Sequence, residues 1–103
     1  MQKIPLEAIP NQTFNIVLGE QNCTIHLYQR GDYLYMDLTA NGNVIRQGMI
    51  CLVDLSLVNY PAVNFSGYLF FVDLLERGGT PVYSELESRY VLMYETEEGM
   101  ADV

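Results

Sequence analysis

Residues 33–50 read YLYMDLTANGNVIRQGMI, and this stretch decides the fold. Leu34, Met36 and Leu38 alternate with Tyr33, Tyr35, Asp37 and Thr39, the period-2 spacing of a strand with one buried face. Asn41-Gly42 follows directly. An Asn-Gly pair accepts positive φ at both central positions of a type I′ turn, whose twist suits two antiparallel strands. Asn43 to about Ile50 is then the returning strand, with Gly48 placed for a bulge.

The pattern continues on both sides. Upstream, Phe14, Ile16 and Leu18 alternate with Asn15 and Val17, and the turn chemistry of Gly19-Glu20-Gln21-Asn22 follows. Cys23, Ile25 and Leu27 then alternate with Thr24, His26 and Tyr28 up to the break at Gly31-Asp32. These segments predict an antiparallel meander. Downstream, Cys51 to Tyr60 is apolar and reads as a strand or a buried loop ended by Pro61. Gly67 to Asp73 (GYLFFVD) is a buried strand, and Arg77-Gly78-Gly79-Thr80-Pro81 is a loop. Tyr83 to Ser88 suits a short helical turn, and Arg89 to Tyr94 is the last strand. The expectation is an all-β fold, a small antiparallel β-barrel or sandwich of six to seven strands. Its core would come from Ile16, Leu18, Ile25, Leu27, Leu34, Met36, Leu38, Ile45, Leu69, Phe71, Val91 and Met93. The organisation expected is an extended N-terminal arm over 1–10, marked by Pro5 and Pro10, one β domain over 11–94, and a frayed acidic tail over 95–103.

A chain of 103 residues holds one domain, with no room for separate catalytic and substrate domains. Its net charge is −8, and residues 73–103 alone carry eight acids against two bases. Five scattered bases cannot track a phosphate backbone, so nucleic-acid binding is not expected. The same repulsion argues against anionic membrane surfaces, and no apolar run spans a bilayer. Met1-Gln2-Lys3 opens no signal peptide, so synthesis in the cytoplasm is expected. Cys23 and Cys51 are too far apart for a CxxC pair and lie in apolar surroundings. They read as structural thiols, with a disulfide as the alternative.

Chemistry is hard to find. His26 is the only histidine, and as a general base it would need a partner such as Asp37 on the adjacent strand, plus a nucleophile or water site. A cross-strand surface histidine is the plainer reading. Glu85 and Glu87, or Glu95, Glu97 and Glu98, lie in loop and tail, where paired carboxylates would not be held in a fixed geometry. With no metal-ligand spacing, no Gly-x-Ser-x-Gly elbow, and Lys3 as the only lysine, no catalytic, cofactor-binding or metal residues and no cofactor are expected. The tyrosines are the stronger constellation. Tyr28, Tyr33 and Tyr35 fall on one face of a hairpin, where they would either stack within the domain or form a partner-contact surface. Ile4, Pro5 and Leu6 of the arm complete the candidate contact residues, because an extended arm can add to a neighbour's sheet edge.

Read in order, several pieces resemble one family. They are Ile4-Pro5-Leu6, then Pro10-Asn11-Gln12-Thr13-Phe14, then the run from Tyr28 to Leu38, then Asn41-Gly42 with Ile45-Arg46-Gln47-Gly48, and finally Gly67 to Asp73. Together they resemble the baseplate plug proteins of tailed phages and prophages, over most of residues 4–94. The resemblance implies a non-enzymatic structural subunit of a tail hub or baseplate, in the virion once assembled. Its implied partners are tail-hub and baseplate proteins or copies of itself, and it offers no catalytic residues to transfer. The alternative from the residues alone is a small-molecule- or protein-binding β-barrel module unrelated to phage assembly.

Overall fold

Alternating apolar residues and two-residue turns generate most of the architecture. In the computed structural model, which describes residues 2–53 and 64–96, seven strands follow in chain order. They are β1 (Gln2–Ile4), β2 (Asn11–Leu18), β3 (Gln21–Arg30), β4 (Tyr33–Ala40), β5 (Asn43–Ile50), β6 (Tyr68–Asp73) and β7 (Tyr90–Glu95). They form two antiparallel sheets, one ordered β2-β3-β4-β5 and the other β1-β7-β6. Of the two architectures expected, the described residues adopt the open, two-sheet one, and no barrel closes among them.

The meander is as the sequence predicts. Asn41 and Gly42 carry φ of 50° and 81°, the positive pair that a type I′ turn requires. The β3 strand faces β4 with Ile25 opposite Leu38 and Leu27 opposite Met36. All four side chains are buried on the core side. Fully burying one such side chain contributes about 1.5–3 kcal/mol, so this double row anchors the sheet. The register of β4 against β5 shifts between Met36 and Leu38. That shift is the bulge expected near Gly48, whose φ is +65°. Downstream, a single 3-10 turn at Tyr83–Glu85 occupies the place of the expected helical turn.

The second sheet departs from expectation in two ways. Its central strand, β7, is buried along both faces, with Tyr90, Val91, Leu92 and Tyr94 all covered. Leu92 lies at the centre of the core, whereas Met93 is only partly buried. Val91 is buried as expected, but Leu92 and not Met93 supplies the deeper side chain, because a doubly covered strand shows no clean alternation. Ile16 and Ile45, also expected inside, pack against the core from its margin and remain partly exposed.

The other departure is at the N-terminus. Gln2–Ile4 form the edge strand of this same sheet, with Gln2 opposite Tyr94 and Ile4 opposite Leu92. Ile4 is fully buried and Leu6 nearly so, because they stand either side of Pro5 with the period of two that sends both inward. Glu87 fixes the stretch further: its carboxylate accepts the Leu6 N–H at 3.1 Å and pairs with Lys3 at 3.2 Å. At the other end, Glu95 belongs to β7 and is buried, so the strand takes the first residue assigned to the tail. The expectations for 54–60 and for 97–103 lie outside the described residues.

Cys23 and Cys51 are both free and buried. Burial pushes both thiols up, with a hydrogen bond involving Leu18 partly offsetting it at Cys23.

Candidate partner-contact surface

The outer face of the meander is set by the same alternation that buries the inner one. Opposite the Ile25–Leu38 and Leu27–Met36 rows, the outward pairs are Thr24 with Thr39, His26 with Asp37, Tyr28 with Tyr35, and Arg30 with Tyr33. All three tyrosines proposed as contact residues therefore share one face. Tyr28 and Tyr35 stack with centroids 5.9 Å apart and an interplanar angle of 21°. The Arg30 guanidinium lies 5.2 Å from the Tyr28 centroid, within cation–π range. Tyr33 stands 44% exposed at the hairpin end.

A polar network holds this face in place. Asp37 sits opposite the bulge, and its Oδ1 accepts the Gly48 N–H at 2.8 Å and the Tyr28 hydroxyl at 3.3 Å. Its Oδ2 lies 3.2 Å from His26 Nδ1, and His26 Nε2 lies 3.0 Å from Asn11 Oδ1 on β2. The His26 ring packs 4.7 Å from the Tyr28 ring. Partial burial draws the Asp37 carboxyl upward, but the Gly48, His26 and Tyr28 hydrogen bonds outweigh it and hold the group below the usual carboxylate range. Tyr28 is pushed up by desolvation and by the Asp37 charge beside it. Tyr28 and the Tyr35 stacked on it are thus positioned by neighbours drawn from four strands.

The His26–Asp37 pair is the arrangement a general base would need, and the hairpin register brings it together. Both ring nitrogens are already engaged within the sheet, however, one by Asp37 and one by Asn11. The geometry orders a surface and presents no open nitrogen to a substrate. Among the described residues no cluster of His, Cys, Asp and Glu could hold a metal ion. An open depression bordered by Asn15, Asn22, Thr24 and Asn41 lies on the same sheet.

The arm candidates are elsewhere. Ile4, on β1 of the other sheet, and Leu6, just beyond it, spend their side chains on the chain's own core. Pro5 alone of the three is exposed.

One structured site was missed by sequence reasoning. Asp73, 4% exposed, ends β6 and gathers the following loop. Its carboxylate accepts from Arg89 Nε at 2.9 Å and Nη2 at 3.0 Å, and from the N–H groups of Leu75, Arg77 and Gly79 at 2.9, 3.0 and 3.4 Å. Arg89, followed by these N–H donors, holds the carboxyl far below the usual range against the opposing effect of desolvation. An Asp at the end of an apolar strand, followed closely by a Gly-Gly loop, was the available signal.

Comparison with known families then supplies what the geometry alone lacks. A family model described as the cyanophage baseplate Pam3 plug gp18 matches residues 1–97. The chain belongs to this baseplate plug family. No curated protein matches it. Membership in the baseplate plug family, together with sheets that do not close, removes the reading as a binding barrel unrelated to phages. No helix among the described residues is long and apolar enough to cross a membrane.

Proposed function

We propose that this chain is a structural subunit of a phage baseplate, that it performs no turnover chemistry, and that it works through contacts with neighbouring tail-hub and baseplate proteins. Membership in the baseplate plug family supports the setting. The observation that carries the mode of action is the stacked Tyr28–Tyr35 pair on the outer sheet face, with Arg30 over it and Tyr33 beside it. Tyrosine and arginine are the residues that dominate protein–protein interfaces, because each brings a large, stiff contact area and a hydrogen-bonding end. Here the Asp37 network fixes the Tyr28 ring before any partner arrives, which lowers the entropy lost on docking. The site of action is accordingly the assembled virion tail.

The test is co-purification with the tail-hub and baseplate proteins encoded beside this gene. The Tyr28→Ala/Tyr35→Ala double variant should weaken the complex by at least about tenfold, since anchor residues of this kind exceed 1 kcal/mol each. Leu75→Ala, at an exposed position in the loop after β6, should leave it intact. Undiminished binding by the tyrosine variant would remove this face from the model. A gene neighbourhood without tail tube, tape-measure or hub genes would remove the assembly role.

A further inference from the structure

Two sheets present four edges, and three of them are guarded against pairing with another chain. β1 is three residues long and carries Lys3. β5 has its register broken against β4, with the Gly48 N–H turned back onto Asp37. β6 is bridged on its free side, Val53 meeting Phe71. β2 is different. Its eight residues, NQTFNIVL, contain no Pro, no Gly and no charge. They pair with β3 without a shift from Asn11↔Tyr28 to Leu18↔Gln21. Unpaired N–H and C=O groups along an edge template a further strand, and proteins blunt such edges by shortness, charge, proline or bulges. β2 has none of these devices.

The phase of its ladder is fixed by Pro10, whose carbonyl accepts the Gln29 N–H at 2.9 Å. Alternation then directs the backbone groups of Gln12, Phe14 and Ile16 to β3, and those of Asn11, Thr13, Asn15 and Val17 outward. The Val17 carbonyl has the Gln2 side-chain amide at 3.5 Å. Among the described residues, nothing pairs with the backbone of Thr13 or Asn15 on this outer side. On the core side of the same edge, Phe14 and Ile16 pack against the cluster yet remain partly exposed.

We propose that β2 is where two copies of this chain pair, antiparallel about a two-fold axis, so that two four-stranded sheets become one of eight strands. An axis beside Phe14 satisfies the outward groups. Thr13 of each copy exchanges N–H···O bonds with Asn15 of the other, and Asn11 does so with Val17 where the Gln2 side chain yields. On the core side Phe14 meets Phe14 of the second copy and Ile16 meets its Gln12, which covers apolar surface that the single chain leaves half open. Self-complementarity of the ladder about Phe14 argues for a second copy as the occupant, and charge permits it. A chain of net −8 repels itself over most of its surface, and a homotypic contact has to avoid acids. β2 contains none, although Glu7 lies beside its start with its backbone bonded to the Gln12 side chain, and its cross-axis pairs are Thr–Asn, Phe–Phe, Gln–Ile and Asn–Val. The contact is also independent of the tyrosine face, and would set two such faces side by side on one continuous sheet.

Sedimentation equilibrium of the full chain over a dilution series, with amide hydrogen exchange on the same samples, tests this. The expected result is a dimer in which the Thr13 and Asn15 amides are protected and lose that protection on dilution. Asn15→Pro removes one outward N–H and leaves the β2–β3 ladder alone, a placement that proline tolerates on an edge. It should weaken dimerisation at least tenfold with unchanged circular dichroism. Thr13→Lys, which keeps every backbone donor but adds an edge charge, should do the same, so the test survives if the proline variant misfolds. A monomer at every concentration overturns the proposal. So does a dimer indifferent to both variants, or one in which Thr13 and Asn15 exchange freely. Occupation of this edge by a different protein, with the chain alone monomeric, overturns it equally.

Discussion

Gly67 is where a single methyl group should do the most harm. It enters β6 with φ +107°, backbone that side chains other than hydrogen rarely adopt. The Tyr94 ring lies directly over it, so that a Cβ at Gly67 would come within 2.6 Å of Tyr94 Cζ and closer still to the hydroxyl. Tyr94 has little freedom to retreat. It is 3% exposed, donates to the Ser66 carbonyl at 2.6 Å, and meets Phe65 edge-on at 6.1 Å. Gln21 of the other sheet reaches the same place, donating to the Ser66 carbonyl at 2.9 Å and accepting the Ser66 N–H at 2.8 Å. Gly67→Ala therefore incurs two costs: roughly 1–3 kcal/mol of backbone strain, and roughly 1–3 kcal/mol for overpacking against a side chain that is tied in place. Gly31→Ala is the control. Its φ is +59°, and nothing lies within 4 Å of its would-be Cβ, so only the left-handed conformation is penalised, by roughly 1–2 kcal/mol. Urea unfolding followed by far-ultraviolet circular dichroism measures both variants at a common slope. Gly67→Ala should be the less stable by at least about 1 kcal/mol, or roughly 4–8 °C in Tm for a domain of this size. Equal losses would refute the claim that Tyr94 is tied in place over Gly67.

Three further outcomes are expected. Leu92→Ala should cost about 2–5 kcal/mol and Met93→Ala clearly less, measured by the same unfolding assay, because only Leu92 points into the core; the reverse order would contradict the assigned faces of β7. A thiol reagent at neutral pH should label neither Cys23 nor Cys51 in the native protein and both in urea, since both are buried with raised pKa values; rapid native labelling would contradict that burial. Asp37 and Asp73 are held below their unfolded values, so their contribution is complete above the ordinary carboxylate pKa of about 3.9 and is lost as pH falls through the lowered folded values. Asp73→Asn should consequently flatten the acid limb of a stability–pH curve, and an unchanged limb would show that the Arg89 clamp contributes no pH dependence.

The meander was legible because its information is local. Gly31-Asp32 and Asn41-Gly42 state the turns, and period-2 runs state which side is buried. Once the hairpin register is known, His26 must face Asp37 and Tyr28 must face Tyr35, so most of the candidate surface follows from counting. The second sheet was less legible because its order is non-local. β1 pairs with β7, some 90 residues away, and only that distant partner turns three residues before Pro5 into a strand. β7 itself hid its faces because neighbours cover both. The Asp73 clamp depends on a loop conformation that brings three N–H groups and Arg89 to one carboxylate, and no spacing rule announces that.

The pairing of β1 with β7 also dictates when the molecule can be finished. The 11–50 meander has only nearest-neighbour connections and can assemble as soon as it leaves the ribosome. Its inner rows, with Ile25, Leu27, Leu34, Met36 and Leu38, then wait uncovered until residues 68–95 have been made. The residues of β1 wait longer than the meander does, since Gln2 and Ile4 meet partners synthesised some 90 residues later. A ribosome stalled after the meander has emerged but before Tyr90 therefore displays a sticky half-sandwich, and chains truncated there should collect in inclusion bodies.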